Sequence, residues 1–270
     1  MPSWSVPLDS ALPAPSRNAV RPRSPWLLQV WVPVTLLAAW ELAAARGWLD
    51  PLFFPPPSRL LATAVEMVRS GDLLPQIRIT LFRAIAGFLV GAAAGVVCGV
   101  VMGRFDTVRR SLEPLIAALY HVPKLTLLPM LMIVAGTGEA PRQILIAGVV
   151  FLQVVMHTLD GVRGIDPHYV EMAANHGADH WLMFRRVYLP ASAPQIFTGL
   201  RLGFGRALGI TISSELLTGG GGLGGLVTRC WLTFAVERLY VAVIVAALLG
   251  VCIHKSLQVV ERRLLPWGVK

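Results

Sequence analysis

Charged residues are scarce in this chain. Only 14% of its 270 residues are Asp, Glu, Lys or Arg, whereas 55% are hydrophobic, and the mean hydropathy is +0.63. Soluble domains are nearer one quarter charged, so this composition excludes an ordinary soluble domain. The apolar runs also lack the two-residue alternation of a membrane barrel. Because only helices and closed barrels satisfy their backbone in lipid, the sequence predicts an all-α integral membrane protein.

Lysine and cysteine are also rare. The three cysteines are odd in number and lie in apolar or flanking segments, so they imply no disulfide framework: Cys98, Cys230 and Cys252. The three lysines follow Pro, His and Val, and none follows a glycine as the phosphate-binding lysine of an ATPase loop does: Lys124, Lys255 and Lys270. We therefore expect this chain to bind no cofactor, and any ATP-driven motor to lie on another chain.

Two sequence patterns resemble ligand sites but fail the test of context. His168, His176 and His180 cluster without a cysteine or an H-E-x-x-H pattern, which favours a solvated or partner-facing surface over a metal site. The segment from Gly219 to Gly225 matches G-x-G-x-x-G, yet it follows a membrane helix and not a strand. It is more typical of a flexible external turn. We expect no metal in this chain.

The chain divides into a short tail and one membrane domain. Residues 1–25 carry six prolines and three arginines and no apolar core, which indicates a disordered cytoplasmic tail and not a cleavable signal peptide. Residues 26–270 would form the transmembrane domain, because six apolar runs approach the ~20 residues that cross a bilayer. The predicted spans are Trp26–Ala45, Ala84–Gly103, Leu112–Ala135, Pro141–Leu159, Ile196–Leu217 and Val236–Leu257.

Basic residues predict the orientation of these spans. Thirteen Lys and Arg residues lie in one set of loops and termini, and six lie in the opposite set. The positive-inside rule then places both termini, and the long polar loop at about 160–195, in the cytoplasm. A formal net charge of +9 could suggest nucleic acid in a soluble protein. Here the basic residues flank apolar runs, so the expected partner is the lipid bilayer and not nucleic acid.

A few ionisable residues lie within the predicted spans, where an isolated charge costs at least ~2.5 kcal/mol. Lys124 falls near the middle of the third span, between two prolines, and Glu215 closes the fifth. Both are candidates for lining a translocation pathway. For Glu215, Arg201 and Arg206, however, snorkelling or helix-end pairing is the favoured interpretation.

The second span carries glycine at strict four-residue spacing. Residues four apart share one face of a helix, so these glycines form a groove without side chains that another helix can approach closely. This pattern predicts helix packing and not a ligand site. The glycines are Gly87, Gly91, Gly95, Gly99 and Gly103.

The polar loop has the signals of two short helices. Asp166 and Pro167 supply an N-cap followed by proline at the first helical position. Gly177 lies where a helix C-terminus favours a positive φ. Asp179 can cap a second helix, which Pro190 is expected to close. The loop is therefore predicted to form a helix–turn–helix unit.

This loop resembles the EAA loop of ABC-importer membrane subunits. The matching residues are Glu171, Ala173, Gly177, Leu189 and Pro190. Met172 replaces the first alanine of the pattern and Val187 replaces its usual isoleucine, and Ala174 is counted with the expected ATPase-coupling residues. From about Thr80 to its end, the chain is similar to binding-protein-dependent permeases of the nitrate/sulfonate/taurine type. The stretches that carry this likeness include LFRAIAGFLVG, VPKLTLLPMLMI and FRRVYLPASAPQIFTGLRLGFGRAL. Residues 134–138 read VAGTG where that subgroup usually has WFGIG.

The resemblance implies a set of partners and a mechanism. A pair of cytoplasmic ATPases would bind ATP and Mg and grip the coupling loop, a second copy of the permease would complete the pathway, and an external solute-binding protein would deliver a small anion or polar organic solute. The setting would be a bacterial inner membrane, and transport would proceed by alternating access.

Two other classes of protein remain open from the residues alone. An intramembrane enzyme could use the histidines or Glu215, but it would need its catalytic groups at one depth, and these lie on opposite membrane faces. A secondary transporter would be expected to show inverted repeats and more intramembrane carboxylates, and neither is seen in this sequence.

Overall fold

The computed structural model describes residues 25–265, and within that range it consists of helices and turns without a strand. The predicted tail lies outside the described residues, except for Pro25, which begins the first helix. The α-helices are α1 (Pro25–Ala45), α2 (Pro57–Arg69), α3 (Leu73–Arg104), α4 (Asp106–His121), α5 (Leu128–Ala135), α6 (Ala140–Arg163), α7 (Pro167–Asn175), α8 (His180–Met183), α9 (Leu189–Thr218), α10 (Leu223–Leu232) and α11 (Val236–Leu264).

The glycine row of α3 packs directly against α6. A Cβ atom added at Gly91 would lie 2.3 Å from the carbonyl oxygen of Ala147, and one at Gly99 would lie 2.6 Å from the Cβ of Thr158. The contacts advance by four residues in both helices, so α3 and α6 run parallel. Hydrogen in place of a side chain lets the two backbones touch along their length. Gly87, Gly95 and Gly103 continue the same contact.

Helix α9 covers the other side of α6 in the antiparallel direction. Gly199 of α9 faces His157, and Gly203 faces Val154. Apolar side chains from these three helices form the middle of the core: Ala92, Ile146, Val150, Val154 and Ala207. Helix α6 is therefore enclosed by α3 and α9, and a second cluster under α2 joins α10 to α11.

The third predicted span is wrong as a continuous helix. The structure has two helices there, α4 and the segment Lys124–Ala135, which meet at an angle of 93°. Val122, the residue before Pro123, adopts extended backbone, as the proline ring requires of its neighbour. A short 3₁₀ turn, Lys124–Leu127, then leads into α5.

The number of spans is lower than six by a strict test of length and hydropathy. Among the described helices, α3, α6 and α11 are long and apolar enough to cross a membrane, and the bent pair would be a fourth. Helix α9 has 30 residues and contains the whole of the predicted fifth span, but it is not among the three helices that pass this test. Six spans therefore stay a prediction, whereas the all-helical fold of the described residues is confirmed.

The bundle has two distinct ends. We call one the loop end: it holds the C-terminal ends of α3 and α6, the start of α9, and α7 and α8 between them. Arg201 and Glu261 pair in the half of the bundle nearer this end, at 2.9 Å. We call the other the Glu215 end, where α3 and α6 begin and α9 finishes.

The backbone contact between α3 and α6 predicts that alanine substitution at two different glycines will have very different effects on the stability of the protein. Gly91→Ala should destabilise the protein by about 1–3 kcal/mol, because the added methyl group would overlap a backbone carbonyl that cannot rotate away. Gly148→Ala in α6 is the matched control, since nothing lies within 4 Å of its Cβ position. Thermal unfolding of the purified protein measures both variants. Equal melting temperatures for the two would contradict this account of the packing.

Candidate functional site

The first loop helix, α7, is capped at both ends by its own sequence. The carboxylate of Asp166 accepts a hydrogen bond from the backbone N–H of His168 at 2.9 Å. At the other end Gly177 has a φ of +75°. The N–H of Ala178 donates to the carbonyl of Ala173 at 3.0 Å, and that of Gly177 to Ala174 at 2.9 Å. This paired arrangement is a Schellman motif, which gives the two alanines a backbone role in the turn.

The second loop helix begins as the sequence predicts but does not end at Pro190. Asp179 accepts from the N–H of Leu182 at 2.7 Å. Helix α8 then continues through a π-helical turn, Phe184–Tyr188, directly into α9. Pro190 lies in the first turn of α9. Proline lacks an amide hydrogen and its ring crowds the carbonyl four residues earlier, and the wider π turn immediately before it changes that register.

The loop presents apolar side chains to solvent. Tyr169, Met172 and Trp181 are each more than half exposed, although they belong to the most polar loop of the chain. A groove of about 790 Å³ runs between α7 and the start of α9, with Met172, Ala173 and Pro190 among its lining residues. Exposed aromatic side chains beside a groove are typical of a surface that a protein partner covers.

The predicted loop residues divide between this surface and its support. Glu171 lies exposed on α7, and Leu189 is 42% exposed at the start of α9. Gly177 and the two alanines instead fix the turn between the helices. The structure therefore brings the residues of the EAA pattern into one module at the loop end, but the pattern combines contact positions with positions that shape the backbone.

Glu215 is completely buried at the opposite end of the bundle. Its carboxylate accepts from the Nη1 atom of Arg83 at 2.9 Å, from the hydroxyl of Thr80 at 2.8 Å, and from the N–H of Gly224 at 3.1 Å. Gly224 lies in the first turn of α10, where a negative charge is favourable. A buried charge is tolerated only when it is paired and hydrogen-bonded, and Glu215 meets both conditions.

Arg83 extends this arrangement into a network of two arginines and two carboxylates. It forms a bidentate contact with Glu139, with Nε to Oε2 at 2.8 Å and Nη2 to Oε1 at 2.5 Å. Arg142 also contacts Glu139 at 3.1 Å, and its other branch donates to Thr218 at 2.9 Å. Hydrogen bonding from Arg83 outweighs the opposing effect of burial and, with the charges of Arg83 and Arg142, lowers the pKa of the Glu139 carboxyl in the loop before α6.

The glycine-rich segment after α9 is fixed and not flexible. The N–H of Gly222 donates to Gln76 at 2.8 Å, the N–H of Leu223 donates to Thr80 at 2.8 Å, and the carbonyl of Gly221 accepts from Arg83. Gly222 has a φ of +103°, and a Cβ there would lie 2.2 Å from the Glu215 carboxylate. The expected flexible turn is therefore wrong, because the backbone must close tightly over a buried charge.

The partners of Glu215 were not recognised from the sequence, although one signal was present. Arg83 stands four residues before Gly87 and so continues the glycine row that faces α6. An arginine in phase with a packed helix face must find a partner inside the protein. Thr80, Glu139 and Arg142 carry no comparable signal.

Lys124 lies at the break between α4 and α5. Its ammonium group donates to the carbonyl of Tyr120 and lies 4.9 Å from the centroid of that ring. Arg206 of α9 approaches the same ring at 5.5 Å. Arg201 differs, because it pairs with Glu261. Within residues 25–265, no group of three His, Cys, Asp or Glu side chains is placed to hold a metal ion.

Comparisons with known proteins agree with this architecture. Residues 79–266 match the family described as the binding-protein-dependent transport system inner membrane component. The aliphatic sulfonates transport permease SsuC of Bacillus subtilis is 28% identical over 263 residues, 95% of each chain. The taurine transport system permease TauC of Escherichia coli is 29% identical over 245 residues, 89% of each chain.

A solved structure shares the fold. The structure titled as an amino acid ABC transporter with histidines has a TM-score of 0.59 and 18% identity, and the match covers 74% of this chain and 97% of that one. At this identity the likeness speaks for the fold alone. The family match spans more than half of the sequence, and it includes most of α3 and all of α6, both loop helices and α9. This chain belongs to the family of binding-protein-dependent transport system inner membrane components.

Proposed function

We propose that this chain forms the translocation pathway of an ATP-driven importer for a small sulfonate, such as an aliphatic sulfonate or taurine. The observation that carries the proposal is full-length similarity to permeases named for those solutes. The same similarity favours a permease over an enzyme. It also argues against a secondary transporter, since the family is defined by dependence on a binding protein.

The partners follow from this assignment. Two copies of a cytoplasmic ATPase would bind ATP and Mg and contact the loop end, and a solute-binding protein would approach the Glu215 end. A second copy of this chain would complete the pathway as a homodimer. An open groove of about 1100 Å³ along α3, with Leu74, Phe82 and Val90 in its largely apolar wall, supports a membrane-embedded neighbour on that side.

The loop end is proposed to face the cytoplasm of a bacterial cell, with both termini on that side. Arg104, Arg163, Arg185 and Arg186 lie at this end, and so do Arg262 and Arg263 at the end of α11. This concentration of arginine supports the orientation through the positive-inside rule. It also leaves the exposed aromatic surface of α7 and α8 accessible to a soluble ATPase.

The candidate site residues take separate roles in this proposal. Glu171 and Leu189 contact the ATPase, whereas Ala173, Ala174, Gly177 and Pro190 set the path of the loop. The glycines of α3 hold the membrane core together. Glu215 anchors the external end of the pathway through Arg83 and does not contact the solute, because its carboxylate is enclosed. Lys124 lines the pathway itself.

Reconstitution tests the proposed function directly. Vesicles that contain this permease and its ATPase should accumulate radiolabelled ethanesulfonate when the binding protein is outside and ATP is inside. Vesicles with the permease alone should show no ATP hydrolysis and no uptake. Uptake driven by an ion gradient without ATP would favour a secondary transporter and reject the proposal.

Cysteine labelling tests the orientation. In a chain whose three native cysteines are replaced, Met172→Cys places an exposed thiol on α7, and Leu52→Cys places one in the exposed turn before α2. A membrane-impermeant thiol reagent should modify only the thiol at position 52 in intact cells, and that at 172 only after the cells are opened. Modification of position 172 in intact cells would reverse the orientation.

The turn at Gly177 should be sensitive to backbone strain alone. No atom lies within 4 Å of its Cβ position, so a side chain there fits, but a β-branched residue is strained at this positive φ by about 1–3 kcal/mol. Gly177→Val should weaken co-purification of the ATPase and reduce uptake several-fold, with membrane insertion unchanged. Gly177→Asn is the matched control, because asparagine tolerates this conformation, and it should retain both activities. Normal coupling in Gly177→Val would show that the turn does not position the two helices.

A further inference from the structure

Two positively charged side chains from different elements meet on one aromatic ring. Lys124 comes from the 3₁₀ turn after α4, and Arg206 comes from α9. Their charged groups lie 4.9 and 5.5 Å from the centroid of the Tyr120 ring. The ring is held from a third side, because the hydroxyl of Tyr120 donates to Gln153 of α6 at 3.2 Å. Gln153 itself is only 5% exposed.

These two cations lack the carboxylate partners that three other arginines of the bundle have. Arg83, Arg142 and Arg201 each contact a carboxylate. Within the described part of the chain, neither Lys124 nor Arg206 has a carboxylate oxygen within 4.0 Å. Lys124 uses one of its three donors on the Tyr120 carbonyl. Cation–π contact alone is weaker than the cost of two like charges placed together in a membrane, so an additional anion would be stabilised there.

The pair lies near the middle of the bundle. Gln153 is close to the centre of α6, and Arg206 follows Gly203, which packs against Val150 and Val154. The side chain of Arg206 is exposed in the isolated chain. The break between α4 and α5 occurs at the same level, and interrupted helices near the bilayer midplane are a common way for transporters to form a solute site.

We propose that Lys124 and Arg206 form a binding site for a monovalent oxyanion, such as a sulfonate group, on the pathway through this permease. The planar guanidinium can donate two parallel hydrogen bonds to such a group, while the ammonium supplies a compact charge from the other element. Both cations contact the Tyr120 ring, which places them beside the same side chain. This inference rests on the proposed function, because it names the chemistry by which that pathway recognises its solute.

A thiol beside the pair tests the local electrostatics without relying on transport. Gly209 lies one turn after Arg206, is exposed, and has no atom within 4 Å of its Cβ position. In a Gly209→Cys chain that lacks the native cysteines, a sulfonate-bearing thiosulfonate reagent should react about tenfold faster than its trimethylammonium analogue, because the paired charges concentrate anions. The measurement uses the complete transporter in phosphatidylcholine vesicles.

Variants then test whether the faster reaction with the anionic reagent depends on Lys124 and Arg206. Lys124→Gln or Arg206→Gln should each lower the rate ratio at least about threefold, and Arg206→Lys should largely restore it. Arg201→Gln is the matched control, since it removes a charge from the same helix at a site already paired with Glu261, and it should leave the ratio unchanged. A ratio near one in the parent chain, a ratio insensitive to both variants, or a thiol that reacts with neither reagent would overturn the inference.

Two further arms separate this inference from its alternatives. Adding phosphatidylglycerol to the vesicles should leave the rate ratio unchanged. If the preference for the anionic reagent disappears in those vesicles, the pair binds a lipid headgroup and the solute-binding site is rejected. Uptake of labelled ethanesulfonate should fall at least about tenfold in Arg206→Gln. If the parent Gly209→Cys chain shows the expected rate ratio but imports no ethanesulfonate, the proposed substrate is rejected and the anion-binding site is retained. If the parent chain imports ethanesulfonate and both Gln variants import it equally well, the proposed binding site is rejected.

Discussion

The close backbone contact between α3 and α6 is the constraint on which the rest of this structure depends. Because α3 presents hydrogen atoms at Gly91, Gly95 and Gly99, the two helices can run parallel with their backbones in contact. Parallel packing brings the starts of both helices to one end, where Arg83 of α3 can reach Glu139 before α6. It also brings their C-terminal ends together at the end of the bundle that holds α7 and α8. A side chain in this row would separate the helices and move both ends at once.

The sequence predicts local structure well where a single residue decides the backbone. Asp166, Gly177 and Asp179 each mark a helix end through their own conformational or capping preference, and the structure has helix ends at those places. Pro190 shows the limit of this reasoning. A proline normally ends a helix, but the π turn before it changes the register, and no single residue of the sequence marks that turn.

Charged residues show a second limit, because their role depends on partners that are distant in sequence. Glu215 and Lys124 look alike as isolated charges within apolar runs. Glu215 is enclosed by Arg83 and Thr80, which precede it by 132 and 135 positions. Lys124 instead contacts the ring and the carbonyl of Tyr120, and Arg206 lies against the same ring. Spacing along one sequence does not reveal these partners. The fold class and the loop helices were therefore predictable, but the identity of the partner that encloses Glu215 was not.

The continuity of α8, the π turn and α9 joins the regions discussed above. No extended residue interrupts the helical path from His180 to Thr218, so it passes from the exposed loop surface, past Arg206, to the network around Glu215. A continuous helix transmits displacement along its axis, and π turns within helices are frequently found at functional sites. A partner that moved α8 would therefore act on Arg206 without a flexible linker between them. The buried contacts of Glu215 with Arg83 and Thr80 hold the far end of this helical path.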